Sequence, residues 1–193
     1  MNLRGHAKNL IEMGFDIAPV FAVDKSGKCA CRNPNCYKVG KHLYNITDKT
    51  FGTKSLPRLE ELVRFHRDAN LAVMTGLRSK LAVVDVDRPA IQNGAYARLI
   101  QLVPELQSTM SVETGSGGFH FYFRLDDHMH SRTNQFGLGI DFLAEGAYAI
   151  SPGSTHRNGC TYSYKNQAVP VELPDTLIAL SKTRGDEMQK ITI

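Results

Sequence analysis

The sequence predicts an α+β fold, in which a mixed or antiparallel sheet is flanked by helices, and three patterns in its middle part support this prediction. Residues 57–67 space their apolar side chains as an amphipathic helix does, and Ser55 is placed to cap that helix. Residues 80–86 are almost wholly apolar before an acidic end, which indicates a central strand covered on both faces. Residues 109–113 and 119–125 alternate around a glycine-rich turn, which is typical of a hairpin.

The remaining elements are shorter. Helices are also predicted at 4–13, before Gly14, at 89–103 and near 174–182. Further strands are predicted at 17–23, 70–75, 140–143, 148–151 and 161–164. The first of these strands contains Pro19, which has no N–H to donate, so we expect it at a sheet edge.

The bulk composition is that of a globular protein. The 193 residues are 42% hydrophobic and 22% charged, which excludes a disordered or fibrous chain. No apolar run approaches the roughly 20 residues of a membrane span, and the N-terminus lacks the apolar core of a signal peptide. We therefore expect a cytoplasmic protein with no membrane association, folded as one domain over residues 1–185, with 186–193 a tail or the start of a linker.

The charge is unevenly distributed. The net charge is +4, and residues 1–80 carry twice as many basic as acidic residues. This asymmetry is compatible with a polyanion bound to the N-terminal part, and equally with an ordinary solvated surface.

Two acidic residues follow the predicted central strand. Asp85 and Asp87 are two positions apart, so both carboxylates lie on one side of the strand. Because close like charges repel, a divalent cation such as Mg²⁺ or Mn²⁺ is their natural partner. The alternative is that they cap a helix beginning near Pro89. The same Asp-x-Asp pattern also occurs in phosphatases with an aspartyl nucleophile and in metal-dependent sugar transferases.

Three later motifs add candidate residues. The turn at 114–118 contains glycines that let the backbone approach an anion, and His120 follows on the next strand, within reach of a phosphate. Asp141 lies between apolar strand residues, where a carboxylate needs a cation or an arginine, so it is a candidate third ligand. The loop at 151–162, with Ser154 and His156, has the small donors of a phosphate-binding loop, although a simple turn explains it as well.

A cysteine-rich segment interrupts the N-terminal part. Cys29, Cys31, Cys36 and His42 offer three thiolates and an imidazole within 14 positions, a set that zinc prefers. The segment has little apolar periodicity of its own, so a structural zinc would help to order it. Free thiols are the alternative.

The order of these motifs closely resembles the bifunctional primase/polymerase (Prim-Pol) N-terminal domains of the archaeo-eukaryotic primase (AEP) superfamily, over residues 7–180. The resemblance implies an RRM-like catalytic core flanked by helices, with a small zinc-binding insertion at 28–44. It implies a nucleotidyltransferase in which Asp85, Asp87 and Asp141 hold Mg²⁺ or Mn²⁺, two ions in all. It further implies that His120 contacts the phosphates of the incoming nucleotide, in a pocket lined by Ser116, Gly117, Gly118, His120, Ser154 and His156.

The implied activity is template-dependent DNA priming and polymerisation during replication of a plasmid, phage or other mobile element. The partners would be a single-stranded DNA template with its primer and dNTPs, with NTP use and a helicase domain in the full-length protein left open. Two other hypotheses stay open at this point. One is a non-catalytic single-stranded nucleic-acid-binding module of the same fold, and the other is a nucleotide-sugar transferase.

Overall fold

A computed structural model describes residues 2–44, 52–64 and 69–182. The predicted tail at 186–193, residues 183–185 and the end of the predicted helix at 65–67 lie outside the described residues. In chain order the elements are α1 (Leu3–Glu12), β1 (Ile17–Val20), α2 (Leu56–Val63), β2 (Asn70–Met74), β3 (Leu81–Val86), α3 (Arg88–Gln92), α4 (Ala95–Leu102), a 3₁₀ turn (Pro104–Gln107), β4 (Ser111–Glu113), β5 (Phe119–Arg124), β6 (Ile140–Leu143), β7 (Tyr148–Ile150), β8 (Ser163–Asn166), β9 (Val171–Glu172) and α5 (Asp175–Lys182).

The chain forms two compact units. The first comprises Met1–Met74, Thr114–Ser116 and Tyr148–Ser163, and the second comprises Thr75–Glu113, Gly117–Ala147 and Tyr164–Ile193.

The first unit contains a three-stranded antiparallel sheet in the order β1-β2-β7. Pro19 lies in β1 at the edge of this sheet, as its missing N–H predicts. Helix α1 begins with Asn2, whose side chain accepts a hydrogen bond from the N–H of Gly5, and it ends before Gly14. Ser55 caps α2 in the same way through the N–H of Arg58.

The second unit contains a six-stranded sheet in the order β6-β3-β5-β4-β8, with β9 paired to β5. The pairings of β3 with β5 and β6, and of β4 with β5, are antiparallel, whereas β9 runs parallel to β5. The predicted α+β class with a mixed sheet is therefore confirmed.

One face of this sheet forms the core of the second unit. Val84 and Val86 from β3 pack with Phe121 from β5 and Phe142 from β6, together with helical residues such as Leu99. Burying each such side chain contributes roughly 1.5–3 kcal/mol relative to leaving it exposed. Because side chains alternate along a strand, the residues between these core positions lie on the opposite face.

The predicted helix at 89–103 is two helices. Gly94 separates α3 from α4 with a φ of +79°, in the left-handed region that interrupts a helix. The side chain of Asn93 accepts a hydrogen bond from the N–H of Ala95 and so starts the second helix. Among the described residues, every helix falls short of the length and apolarity that a membrane span requires.

Candidate active site and metal centre

Three of the predicted site residues lie side by side on adjacent strands. In the register of the sheet, Asp85 on β3 is directly opposite His120 on β5 and directly opposite Asp141 on β6. Directly opposed residues of antiparallel strands project to the same face. The row Asp141–Asp85–His120 therefore lies on one face of the sheet, opposite the apolar core.

Asp85 and His120 form the closest pair in this row. The Nε2 atom of His120 lies 3.5 Å from Oδ1 of Asp85, and the two side chains are 6% and 27% exposed, respectively. The carboxylate can therefore orient the imidazole, while enough of Asp85 stays accessible to bind a cation.

Asp87 extends the row beyond the end of β3. Its backbone is extended, with φ −74° and ψ 154°, so the alternation of side chains continues to this residue. Asp87 occupies the N-cap position of α3, but its side chain makes no capping hydrogen bond there. The carboxylate is exposed, and helix capping therefore does not explain the presence of an aspartate at this position.

The surroundings of Asp141 raise the pKa of its carboxyl group. Burial raises the pKa of its carboxyl group, a hydrogen bond from the backbone N–H of Asn134 to Oδ1 (2.8 Å) partly offsets this, and the negative charge of Asp87 raises the pKa further. The electrostatic effect of Asp87 means that the two acids are close enough to repel one another. A divalent cation would relieve this repulsion, and oxygen donors of this kind suit Mg²⁺ or Mn²⁺.

Gly118 brings the glycine-rich turn against the end of β3. A Cβ atom at this position would overlap the carbonyl oxygen of Val86 and lie 3.3 Å from Cα of Asp87. Only glycine permits this approach to the backbone beside Asp87, and the predicted approach of the turn to an anion stays a prediction.

Of the other predicted nucleotide contacts, Ser116, Ser154 and His156 belong to the first unit and Gly117 belongs to the second. The hydroxyl of Ser116 is 3.0 Å from that of Thr114. Ser154 is buried, and its hydroxyl accepts a hydrogen bond from the N–H of Leu71 and donates one to the carbonyl of the same residue. His156 is also buried, and its Nδ1 lies 2.9 Å from Oδ1 of Asn158. Ser154 therefore anchors its loop to β2.

The four residues of the cysteine-rich segment come together. The ligand atoms of Cys29, Cys31, Cys36 and His42 lie within 4.8 Å of one another, and Sγ of Cys29 is 3.2 Å from Nε2 of His42. In the parts of the chain that the structure describes, this is the one group of three or more such residues gathered so tightly, and the acidic row is more open. Three sulfur donors and one nitrogen donor match the tetrahedral preference of zinc.

The protonation chemistry of the cluster reflects its crowding. Burial disfavours the charged thiolate of Cys29, but hydrogen bonds from the backbone N–H groups of Cys31 and Gly40 and from neighbouring thiols outweigh it and lower the pKa of Cys29. Burial and then the nearby Cys29 thiol raise the pKa of Cys36 to about 11. Burial lowers the pKa of His42, which favours the neutral imidazole that binds metal.

Comparison with known protein families identifies the family of the chain. The sequence model of the Prim-Pol family, described as bifunctional DNA primase/polymerase, N-terminal, matches residues 7–176. The chain belongs to the Prim-Pol family. No curated protein matches it in a search of individual sequences. Membership supports a DNA primase/polymerase function in general, and the predicted relation to the AEP superfamily is consistent with it.

Asn134 is a residue of this Prim-Pol domain that sequence reasoning missed. Its backbone lies in the left-handed region, at φ +53°, and its side-chain oxygen accepts a hydrogen bond from the N–H of Gly139 (2.7 Å). The carbonyl of Gly139 in turn accepts from the N–H of Asp87 (2.8 Å). Asn134 thus connects Asp141 with the backbone of Asp87. A single asparagine in a polar loop carries no pattern from which this role could be predicted.

Arg88 is a second residue of the Prim-Pol domain that sequence reasoning missed. It directly follows Asp87, is exposed, and its Cδ lies 4.0 Å from where a Cβ atom on Gly117 would stand. A cation beside a glycine-rich turn is a suitable phosphate contact. The sequence signal for this residue was its position directly after the Asp-x-Asp pattern, in Asp-x-Asp-Arg.

Proposed function

We propose that this Prim-Pol domain is a template-dependent DNA primase and DNA polymerase, which transfers nucleotides from dNTPs or NTPs to a growing strand. The observation that carries the proposal is the register that places Asp85, Asp141 and His120 in one row across β6, β3 and β5. Acidic residues from separate strands meet there beside a histidine, as nucleotidyl transfer requires.

The residues present fit a pair of divalent cations. Asp85, Asp87 and Asp141 supply oxygen donors, and the repulsion between Asp87 and Asp141 gives a reason to bind Mg²⁺ or Mn²⁺. When bound, such cations lower the pKa of the attacking 3′-hydroxyl and neutralise the pyrophosphate leaving group.

The side chains of the protein bind and orient the reacting groups. In the proposed mechanism, the three carboxylates would hold the cations, and His120 contacts a phosphate of the nucleotide through Nε2, the ring nitrogen beside Asp85, because Nδ1 is buried. Arg88 adds a positive charge near the turn of Gly117 and Gly118, whose backbone approaches the triphosphate. The family resemblance assigns further nucleotide contacts to Ser116, Ser154 and His156, and for Ser154 we propose that the contribution is indirect, through the loop that it anchors.

The cysteine cluster is proposed to bind a structural zinc ion. Cys29, Cys31, Cys36 and His42 would hold it, and the donor set and its compactness support this assignment. Zinc would order a segment that is poor in apolar side chains.

The biological setting is proposed from family membership. The expected partners are a single-stranded DNA template with its primer and, in a full-length protein, a helicase domain. The expected process is cytoplasmic replication of a plasmid, phage or other mobile element.

The test is primer extension on a single-stranded template with dNTPs or NTPs and either Mg²⁺ or Mn²⁺. The wild-type chain should extend the primer, and the double variant Asp85→Ala/Asp87→Ala should not. Synthesis by the double variant would refute the assignment. A folded wild-type chain that binds the template but extends nothing under any of these conditions would favour the non-catalytic binding module instead.

A further inference from the structure

The cysteine-rich segment presents an unusually basic surface. Residues 24–44 contain five cations and a single acidic residue, Asp24; the cations are Lys25, Lys28, Arg32, Lys38 and Lys41. Asp24 accepts hydrogen bonds from the N–H groups of Ser26 and Lys28 and from the Ser26 hydroxyl within its own turn. Among the ion pairs recorded between described residues, none involves Arg32, Lys38 or Lys41. An external polyanion is a suitable partner for this positive charge.

The same surface carries an exposed aromatic ring. Tyr37 is 86% exposed, more than any other large hydrophobic side chain that the structure describes. The ammonium group of Lys38 lies 5.7 Å from the centre of its ring. Exposure of an aromatic ring to water is unfavourable, although a single exposed apolar residue needs no functional explanation. An exposed ring among lysines, however, has the composition of a site that binds unstacked bases and phosphates.

A second tyrosine joins this surface from the sheet of the first unit. The hydroxyl of Tyr148, in β7, donates a hydrogen bond to the carbonyl of Lys41 (3.0 Å). Burial raises the pKa of Tyr148, and the charge of Tyr37 raises it further. The hydrogen bond from Tyr148 fixes the backbone of Lys41, which gives this part of the surface a defined geometry.

A cavity of about 890 Å³ lies against the segment. Its lining includes Cys29, Cys31 and Cys36, the rings of Phe21 and Tyr44, and the cations Lys28 and Arg32. The two rings lie 4.6 Å apart between their centres. Three of the proposed zinc ligands line this cavity, so it belongs to the metal cluster and is not part of the binding surface proposed below.

We propose that the surface formed by Tyr37, Lys38, Lys41 and Tyr148 binds single-stranded nucleic acid, with a base stacked on Tyr37 and the phosphate backbone on the two lysines. The inference rests on the proposed function for its biological meaning, because a template-dependent enzyme must hold a single strand. Binding itself needs neither nucleotides nor the catalytic cations, and it can be measured separately. Duplex DNA is a poor ligand for this surface because its bases are already stacked.

The experiment measures binding of a fluorescein-labelled oligothymidylate of about 15 nucleotides to the zinc-containing protein by fluorescence anisotropy. Tyr37→Ala should weaken binding about tenfold, because one stacked base contributes about 1–3 kcal/mol. Tyr37→Phe should bind as the wild type does, since stacking requires the ring and not the hydroxyl. Tyr37 is almost fully exposed, so neither substitution threatens the fold.

The lysines are tested with a charge-matched control. Lys38→Ala/Lys41→Ala should weaken binding and reduce the slope of log affinity against log salt by about 0.7 for each lost phosphate contact. The control is Lys8→Ala/Lys165→Ala, which removes two exposed cations outside the surface and should leave the affinity unchanged. The chain has seven tyrosines and no tryptophan. Quenching of tyrosine fluorescence by the oligonucleotide therefore provides a second readout, which should diminish in Tyr37→Ala.

The outcomes separate this proposal from the catalytic one. Wild-type affinity in Tyr37→Ala, an equal loss in the control pair, or equally tight binding of duplex DNA would each overturn the binding surface, whatever the primer-extension result. Asp85→Ala/Asp87→Ala should bind the oligonucleotide normally while failing to extend a primer. Synthesis by that variant would refute the catalytic assignment and leave the binding surface intact.

Discussion

Asp141 is the acid whose environment is best defined among the candidate ligands. Burial and the charge of Asp87 both raise its pKa, and it lies directly opposite Asp85 in the sheet. Like charges in directly opposed positions destabilise a sheet by up to about 1 kcal/mol. A site that concentrates negative charge in this way reduces the stability of the fold in exchange for cation binding.

Replacing Asp141 with Asn tests this trade-off. The amide retains an oxygen that can accept the hydrogen bond from Asn134 and removes the charge, so we expect a higher Tm in the presence of a chelator and no primer extension. Addition of Mn²⁺ should stabilise the wild type more than the variant. The measurements are thermal unfolding with and without Mn²⁺ and an extension assay.

The control for this variant is Asp126→Asn, which removes an exposed carboxylate paired with Lys80. It should change neither the Tm nor the activity appreciably, because exposed ion pairs contribute little. Equal Tm values for Asp141→Asn and the wild type in chelator would argue against charge repulsion at the site.

Asn134 is expected to act through Asp141 and Asp87 and is therefore a positioning residue. Asn134→Ala removes the acceptor for the N–H of Gly139 and places alanine at a positive φ, so the loop that holds both acids should shift. We expect the Mn²⁺ concentration needed for half-maximal activity to rise about tenfold, as for other residues that support metal ligands. Titration of activity with Mn²⁺ measures this.

Asn166→Ala is the matched control. The side-chain oxygen of Asn166 likewise accepts a hydrogen bond from a backbone N–H, that of Ala168, and its amide group donates to the carbonyls of Ser108 and Thr109, away from the acidic row. Its loss should lower stability without changing the Mn²⁺ requirement. The same Mn²⁺ shift in both variants would reduce Asn134 to a purely structural role.

Among the elements, β3 and the glycine-rich turn depend on one another. Gly118 lies so close to Val86 that alanine must push the turn away from the end of β3. For Gly118→Ala we expect a loss of stability of about 1–3 kcal/mol, typical of overpacking, and a marked loss of activity at temperatures where the protein remains folded. Urea unfolding and primer extension measure the two effects.

Gly146→Ala is the comparison for Gly118→Ala. Gly146 has a φ of +75°, and no atom lies within 4 Å of the place where a Cβ would stand, so alanine there meets strain but no collision. We expect a stability loss of about 1–2 kcal/mol with activity retained. If Gly118→Ala behaved no differently, close packing of the turn against β3 would not matter for the site.

The elements also show how far sequence reasoning reaches. Strand β3 was predicted because four consecutive apolar residues before an acidic end leave little alternative, and Ser55 and Gly14 marked helix ends correctly. The break at Gly94 was missed because apolar spacing continues across it. Strand β9 was missed because two residues carry no periodicity, and its pairing with β5 is set by tertiary contacts.

The candidate site was predictable in part. Alternation along a strand places Asp85 and Asp87 on one side, and this follows from local geometry. The pairing of Asp85 with Asp141 and His120 depends on long-range register, which no local pattern determines, and it was expected from family resemblance alone. Asn134 contributes mainly through its backbone and one loop contact, so its residue type gave no signal.

For the molecule as a whole, the cysteine cluster is expected to hold one zinc ion per chain and to order residues 24–44. Cys36→Ser should lower the zinc content and expose this segment to proteolysis, because one of four donors is lost. The β-sheet content should persist, since the six-stranded sheet belongs to the other unit. Atomic absorption, limited proteolysis and circular dichroism measure these effects.

Cys160→Ser provides the control for zinc. Cys160 is an exposed free cysteine and is not part of the cluster, so zinc content and protease resistance should match those of the wild type. Full zinc occupancy in Cys36→Ser, or no zinc in the wild type purified without chelator, would contradict the zinc assignment.

The register of β6 against β3 determines how a misfolded molecule would differ from the native one in stability and activity. A slip of one residue in this pairing would turn Asp141 towards the apolar core that contains Phe121 and Leu99, and would turn an apolar neighbour to the face of the acidic row. The slip would therefore bury a charge and disrupt the acidic row at the same time. Molecules in which β6 pairs with β3 in the wrong register should therefore be both unstable and inactive.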